Sequence, residues 1–244
     1  MTVLEWHPPN EPLRAGVLRA SVFALLAVAG IAMTVRPWLQ LGALYPGKAA
    51  AVFAAWMLVA FGYIGSYHPH AHFGPANHVT MIRVMIVALI ASLIGEPVNH
   101  RAAAAASIAT AVMAVLDGVD GWLARRSRLA SAFGARFDME TDAALVMVMS
   151  VLIWRHGKAG MWVLLGGMMR YVFFLASWFL PWMARPLTPT LRARIITVCH
   201  IVGLSVGLAP FVPVPLSAIV VGLTTAALSW SFSVDVRRLW RIES

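Results

Sequence analysis

Long stretches that are almost free of charge recur along the chain, and they limit its fold more than any other feature. Eight can be traced, each near the ~17–25 residues that a helix needs to span a bilayer. They cover approximately residues 15–35, 49–67, 79–95, 102–124, 137–154, 160–182, 195–211 and 216–234. Because they are apolar throughout rather than alternating, they favour helices over a barrel.

The composition supports the same conclusion. Apolar residues make up 60% of the 244 residues, charged residues only 12%, and the mean hydropathy is +0.78. A soluble domain carries about twice that share of charge. The sequence therefore predicts an all-α integral membrane protein. Its single cysteine, Cys199, excludes an internal disulfide. Its net charge of +9 suits an anionic lipid surface, and no motif indicates nucleic-acid binding.

The basic residues predict an orientation. If the turn between the fourth and fifth stretches is cytoplasmic, thirteen Lys and Arg residues fall on that side and five on the other. Arg170 is left out of this count because it lies inside a stretch. The positive-inside rule favours this arrangement, with both termini cytoplasmic, as eight spans require. The expected location is the cell's inner (plasma) membrane.

Acidic residues are concentrated in one short segment. Five of the ten in the chain lie within residues 117–142: Asp117, Asp120, Asp138, Glu140 and Asp142. Carboxylates in an apolar chain are costly to bury unless something pairs with them. The first two aspartates are three residues apart and the last two are four apart, so each pair shares a helix face. In an antiparallel hairpin, both pairs would lie roughly 10 Å from the turn.

Four clustered aspartates suit hard divalent cations such as Mg²⁺ or Mn²⁺. Two such ions can clamp the attacking and leaving oxygens of a displacement at phosphorus. A divalent-cation transporter or channel is the alternative from another class. A transport path spreads its polar groups along the membrane depth, whereas these lie at one end beside arginines suited to phosphate. The pattern therefore favours an enzyme of phosphoryl-group chemistry.

The spacing of these residues resembles a known family signature. The pattern is Asp117-x-x-Asp120-Gly121-x-x-Ala124-Arg125, then eight residues, then Gly134-x-x-x-Asp138-x-x-x-Asp142. It resembles the signature of the CDP-alcohol phosphotransferase (CDP-alcohol phosphatidyltransferase) family. Upstream, Asn77-x-x-Thr80-x-x-Arg83 is similar to the start of the first core helix in that family.

The resemblance covers about residues 75–240 and implies a domain organisation. Residues 75–244 would form the six-helix core of the family. Residues 1–74 would be a short polar tail, up to about residue 14, and two extra transmembrane helices. We expect these two helices to serve as a membrane anchor or scaffold, with a regulatory or partner-binding role as the alternative.

The resemblance also implies residue roles. Members of the family transfer a substituted phosphate from a CDP-linked donor to an alcohol and release CMP, and a homodimer is expected. The implied metal ligands are Asp117, Asp120, Asp138 and Asp142, with Asp142 also the general base. The implied nucleotide-binding residues are Asn77, Thr80, Gly121, Ala124, Arg125 and Ser131.

The acceptor is less constrained. Arg170, inside a span, is expected to face a polar cavity. Family members tend to place basic residues in this region, so the resemblance implies that Arg170 binds an acceptor phosphate with Arg192 and Arg194. The alternative is that Arg170 pairs with an active-site carboxylate and the other two are interfacial charges. Arg185 is more typical of an interfacial charge. CDP-diacylglycerol is the expected donor, and glycerol 3-phosphate, inositol phosphate and serine stay open as acceptors. A CDP-choline or CDP-ethanolamine donor with diacylglycerol as acceptor is the alternative.

Four histidines crowd a predicted loop at residues 66–78, SYHPHAHFGPANH. Imidazole is a common transition-metal ligand, and His68, His70, His72 and His78 offer four. However, Pro69 disrupts regular spacing, and no acidic or cysteine partner lies nearby in sequence. A solvated interfacial loop is the favoured interpretation.

Overall fold

The computed structural model describes residues 11–127, 129, 131–184 and 190–241. Within these residues the regular structure is helical and no strand occurs, which confirms the predicted all-α class. The helices are α1 (Glu11–Trp38), α2 (Tyr45–Tyr67), α3 (Pro75–Ala91), α4 (His100–Ser127), α5 (Ala132–Arg155), α6 (Leu164–Phe179), α7 (Leu191–Leu208) and α8 (Val214–Arg241). Short 3-10 turns flank α6 at Met161–Val163 and Pro181–Ala184.

Six helical segments are long and apolar enough to cross a bilayer. They are Glu11–Trp38, Tyr45–Tyr67, His100–Leu123, Met161–Phe179, Leu191–Leu208 and Val214–Trp240. Helix α3 is equally apolar in character but has only 17 residues. Helix α5 is not among the six, since its first half carries the acidic motif residues. The chain is therefore a multi-pass membrane protein, and the count of eight spans stays a prediction.

Several boundaries differ from the predicted ones for identifiable reasons. Helix α1 includes residues 11–14, which were predicted to belong to the polar tail. Helix α3 begins at Pro75, which shortens the histidine loop to residues 68–74. Gly74 (φ +81°) makes the turn, and proline is well suited to a first helical position. Helix α6 ends at Phe179, ahead of Pro181, which cannot donate a backbone hydrogen bond.

By packing, the described chain divides into two compact units. The first unit consists of residues 11–102 and 112–142, and the second of residues 103–111 and 143–241. Helices α4 and α5 contribute to both. This division reflects spatial contacts. The predicted boundary after residue 74 is of another kind, since it separates added helices from a family core, and that boundary stays a prediction.

In the first unit, polar contacts tie the loop after α1 to the loop after α3. Glu96, only 6% exposed, accepts hydrogen bonds from the Gly42 N–H (2.6 Å) and the Lys48 ammonium. The Asn99 amide donates to the Leu39 carbonyl at 3.2 Å. Because buried polar groups are costly to leave without partners, these bonds fix the N-terminal helix pair against α3 and its following loop.

In the second unit, α7 and α8 pack closely through glycines of α7. A Cβ atom on Gly203 would lie 2.7 Å from Thr224 Cγ2, and one on Gly207 would collide with Val221. Small residues at a four-residue spacing let helix backbones approach closely. This matters in a bilayer, where the hydrophobic effect does not drive helices together. The second unit is therefore held by backbone proximity rather than by large side chains at this contact.

The Glu96 contacts predict a specific weakness. Replacing Glu96 with Ala leaves the Gly42 N–H and the Lys48 ammonium without their acceptor, and should lower the free energy of unfolding by about 2–3 kcal/mol. SDS titration of the purified protein followed by circular dichroism measures this change. The control Glu11→Ala removes an exposed acidic residue of α1 and should change the free energy by less than about 0.5 kcal/mol. Equal effects of the two substitutions would contradict a stabilising role for the Glu96 hydrogen bonds.

Candidate active site

Helices α4 and α5 bring three of the predicted metal ligands together. The carboxylate oxygens of Asp117, Asp138 and Asp142 all lie within 4.8 Å of one another. These residues come from both arms of the hairpin, as the spacing predicts. The side chains of Asp120, Ala124 and Arg125 lie outside the described part of the structure, so their predicted roles stay predictions.

A buried arginine from α3 lies among these carboxylates. Arg83, 1% exposed, donates from Nη1 to Asp138 and from Nη2 to Asp142, and Nη2 lies 3.5 Å from Asp117. The planar guanidinium can contact several carboxylates at once, which a lysine ammonium does less well. One cation therefore links α3 to both arms of the hairpin.

Arg83 was missed as a site residue, although a signal for it exists in the sequence. It was named only as the last residue of the Asn77-x-x-Thr80-x-x-Arg83 pattern, with no role in the site. It nevertheless follows Asn77 and Thr80 at three-residue intervals, which places all three near one face of a helix. The structure buries all three, at 5%, 2% and 1% exposed. A basic residue in register with two predicted ligand-binding residues was the available clue.

The charges of the cluster leave it suited to a divalent cation. Asp117, Asp138 and Asp142 carry three formal negative charges, and Arg83 compensates one of them. The aspartate side chains are only 15%, 35% and 19% exposed, so their negative charge is partly desolvated. Carboxylate oxygens at this spacing are typical ligands of Mg²⁺ and Mn²⁺. The donor set therefore fits either ion.

A close contact joins the upstream pattern to the main motif. A Cβ atom on Gly134 would lie 2.7 Å from Asn77 Oδ1 and 3.4 Å from Ser131 Oγ. The Asn77 amide in turn donates to the Phe73 carbonyl, which fixes its oxygen toward Gly134. Any larger residue at 134 would displace the buried Asn77 side chain or the helix that carries it, so the motif glycine is explained by packing.

The histidine segment differs from the prediction at two positions. His72 is exposed in the loop, whereas His78, although exposed, lies in α3, and His68 is only 5% exposed. The solvated-loop interpretation is therefore wrong for His68, which the aromatic side chain of Phe133 covers at a ring-centroid distance of 5.9 Å. Among the described residues, Asp117, Asp138 and Asp142 lie close enough together to share a metal ion. The four histidines of the described segment do not.

The chain was compared with known families and proteins. The family model described as CDP-alcohol phosphatidyltransferase matches residues 73–233, about two thirds of the chain. The chain belongs to the CDP-alcohol phosphatidyltransferase family. This confirms the resemblance, and with it a transferase of phospholipid synthesis. The matched range contains the whole aspartate motif and the Asn77 to Arg83 pattern, whereas α1, α2 and His68 precede it.

One curated relative supports the assignment over a shorter range. The chain is 36% identical, over 83 residues, to a CDP-diacylglycerol–glycerol-3-phosphate 3-phosphatidyltransferase of Pseudomonas fluorescens. The match spans 34% of this chain and 42% of that relative, less than half of either protein. No solved structure matches the chain.

Three further predicted nucleotide-binding residues lie in the described part of the structure. Thr80 is buried, and Gly121 and Ser131 are half-buried. Ser131 caps α5 by accepting a hydrogen bond from the Gly134 N–H at 3.1 Å. Their roles in nucleotide binding are not decided by these positions and stay predictions.

The predicted acceptor arginines belong to the second unit. Arg170 in α6 is half-buried and Arg194 in α7 is exposed. Arg192 forms an ion pair with Asp235 and donates to Ser231 Oγ at 2.6 Å, so α8 holds its guanidinium. Arg185 lies outside the described residues. The acceptor role of these arginines stays a prediction.

The position of Arg83 predicts how metal affects stability. Arg83→Leu removes the cation shared by three carboxylates and should destabilise the metal-free protein by about 2–3 kcal/mol, because the carboxylates then repel one another. Added Mg²⁺ restores that compensation, so its stabilising shift should be larger in the variant than in the wild type. Thermal unfolding with and without Mg²⁺ measures both effects.

The matched control is Arg136→Leu. Arg136 lies on α5 near the same site, but it is exposed and its pairing with Glu140 is 4.0 Å long. Its loss should leave the Mg²⁺-induced shift at the wild-type value. Similar Mg²⁺ shifts in Arg83→Leu and Arg136→Leu would show that Arg83 does not balance the aspartate charges.

Proposed function

We propose that this protein transfers a phosphatidyl group from CDP-diacylglycerol to a small alcohol and releases CMP. The observation that carries the proposal is the gathering of Asp117, Asp138 and Asp142 around Arg83 in a chain of this family. A structural ion pair needs one carboxylate for the single charge of Arg83, whereas three partly buried aspartates meet it here. A cation transporter also needs carboxylates, but it does not account for the family relationship.

The proposed reaction is a displacement at phosphorus. The acceptor hydroxyl oxygen bonds to the phosphorus that carries the lipid, and the bond from that phosphorus to the CMP oxygen breaks. Asp142 takes the hydroxyl proton as general base. Asp117, Asp120, Asp138 and Asp142 would hold one or two divalent cations. When bound, such a cation supplies positive charge that stabilises the phosphate oxygens.

The nucleotide would bind between α3 and the hairpin. We assign it to Asn77, Thr80, Gly121, Ala124, Arg125 and Ser131. The arginine suits a charge-assisted contact with phosphate. The small residues allow the nucleotide to approach the helix backbones closely. In support of this assignment, the side-chain oxygens of Asn77 and Ser131 both lie close to Gly134 at the start of α5.

Glycerol 3-phosphate is the acceptor that we propose first. The similarity to a glycerol-3-phosphate phosphatidyltransferase over 83 residues supports it. Arg170, Arg192 and Arg194 would bind the acceptor phosphate. Inositol phosphate and serine are the other acceptors in this class.

We further propose the membrane arrangement that the charge distribution favours. The eight helices would all cross the inner membrane, with the aspartate hairpin and both termini on the cytoplasmic side. The active site would then meet cytosolic nucleotide and soluble acceptor directly. A homodimer is the proposed assembly.

Replacing Asp142 with Asn tests the proposed base. The amide cannot take up the acceptor proton, so CMP release from CDP-diacylglycerol should fall by at least about 100-fold. Asp117→Asn and Asp138→Asn should have comparable effects through loss of a cation ligand. Glu140→Gln is the matched control, since Glu140 is an acidic residue of the same helix that pairs with exposed Arg136. CMP release within about twofold of wild type is expected for it. An active Asp142→Asn variant would remove Asp142 from the mechanism.

An acceptor panel tests the substrate assignment. Purified protein with Mg²⁺ or Mn²⁺ and CDP-diacylglycerol should release CMP most rapidly with glycerol 3-phosphate, compared with inositol phosphate, inositol and serine. Release with another acceptor would change the acceptor assignment. Release only from CDP-choline or CDP-ethanolamine with diacylglycerol would overturn the donor. No release with any pair, together with cation uptake into proteoliposomes, would favour the transporter alternative.

A further inference from the structure

The end of α2 makes a buried polar contact with the motif helix α5. His68, the residue that follows α2, is 5% exposed, and both of its ring nitrogens have partners. Nδ1 lies 2.9 Å from Ser131 Oγ, and Nε2 lies 2.8 Å from the carbonyl oxygen of His72. This contact therefore reaches from outside the matched family range, residues 73–233, to a residue between the two halves of the signature.

The partners of His68 determine where its proton lies. A carbonyl oxygen only accepts hydrogen bonds, so Nε2 must carry the proton that it donates to His72. Burial lowers the pKa of His68 below its ordinary value, which favours the neutral ring. In the neutral ring Nδ1 then carries a lone pair and no proton. Ser131 must therefore donate its hydroxyl proton to His68.

The hydrogen bonds of Ser131 are then almost completely assigned. A serine hydroxyl has one proton and two lone pairs. The proton goes to His68, and one lone pair accepts from the Gly134 N–H. The second lone pair remains for a ligand and can only accept. Ser131 also lines a cleft of about 460 Å³ together with residues 65–69 and Ala132, so a ligand can reach it.

We propose that His68 is a positioning residue for the nucleotide. By taking up the only hydroxyl proton of Ser131, it leaves the serine oxygen as an acceptor for a hydrogen-bond donor of cytidine, its 4-amino group or a ribose hydroxyl. The inference rests on the proposed function and deepens it. It also gives the N-terminal helix pair a role in substrate recognition beyond that of an anchor.

A helix-capping role for Ser131 does not explain this arrangement. A cap needs only the bond to the Gly134 N–H, which any serine at this position makes without a histidine. The additional contacts lie between α2 and α5. The guanidinium of Arg136 lies over the Tyr63 ring at 5.2 Å, and the His68 ring meets Phe133 edge-on at 5.9 Å. These contacts exclude water from His68 and hold it at the start of α5.

The test uses the full-length protein in nanodiscs, with CDP binding measured by calorimetry in the presence of Mn²⁺ and CMP release measured in parallel. His68→Leu removes the acceptor for the Ser131 proton, whereas His68→Asn keeps an acceptor oxygen at the position of Nδ1. His72→Ala is the matched control, since it removes an exposed imidazole from the same loop but retains the backbone carbonyl that His68 uses.

We expect His68→Leu to weaken CDP binding and to raise the KM for CDP-diacylglycerol by about threefold to tenfold, the range of one hydrogen bond, with kcat little changed. His68→Asn should restore binding to near wild type, and His72→Ala should not alter it. In a Ser131→Ala background, His68→Leu should cause no further loss. Mn²⁺ binding at the aspartates should be unchanged throughout, which a general loss of structure would not allow.

Nucleotide analogues show which hydrogen-bond donor of cytidine Ser131 accepts from, the 4-amino group or a ribose hydroxyl. Ser131→Ala should erase the discrimination against UDP if the 4-amino group is bound, or against 2′-deoxy or 3′-deoxy CDP if a ribose hydroxyl is bound. Unchanged CDP affinity in His68→Leu, or a further loss in the Ser131→Ala background, would overturn the inference. If His68→Leu loses Mn²⁺ binding, His68→Phe, which keeps a ring against Phe133, provides the same comparison. Wild-type protein that binds CDP but releases no CMP would overturn the proposed function alone, because the binding data still decide the role of His68.

Discussion

The ion pairs between Arg83 and the aspartates are the interaction on which the site depends. Asp117 and Asp142 come from opposite arms of a hairpin, and three carboxylates this close repel one another unless a cation lies among them. Arg83 supplies that charge from a third helix while itself being almost fully buried. Its charge would be equally costly without the carboxylates. Helix α3 and the hairpin are thus mutually dependent, and they form a frame whose three carboxylates suit a divalent cation.

The tight packing around this frame follows from the same requirement. Arg83 reaches the carboxylates only if α3 lies close to α5, and the absence of a side chain at Gly134 permits that approach beside Asn77. At the start of α5 the end of α2 contributes His68, which contacts Ser131, and after the end of α3 Glu96 fixes the loops of the same unit. Helices α1 and α2, which precede the matched range, are therefore part of the structure that surrounds the proposed site.

Much of this protein could be predicted from local patterns. Mostly apolar stretches of bilayer length predicted the helices. Their boundaries were accurate to about five residues except at the end of α8, which extends to Arg241, well beyond the predicted residue 234. The four-residue spacing predicted that Asp138 and Asp142 would share a helix face, and their carboxylates do lie together, beside that of Asp117 from the other arm. The role of Arg83 was missed because a charge count treats every arginine alike and does not show which one is buried.

By itself, the sequence determined the helical class, the family and the composition of the carboxylate cluster. These depend on residue type and on short-range spacing, which a helix converts directly into geometry. Only the tertiary structure decided which cation lies among the carboxylates and which side chain meets Ser131. Arg83 is 55 residues from Asp138, and His68 is 63 residues from Ser131. No periodic pattern encodes such distant contacts, because they depend on how separate helices pack and on which polar groups that packing shields from water.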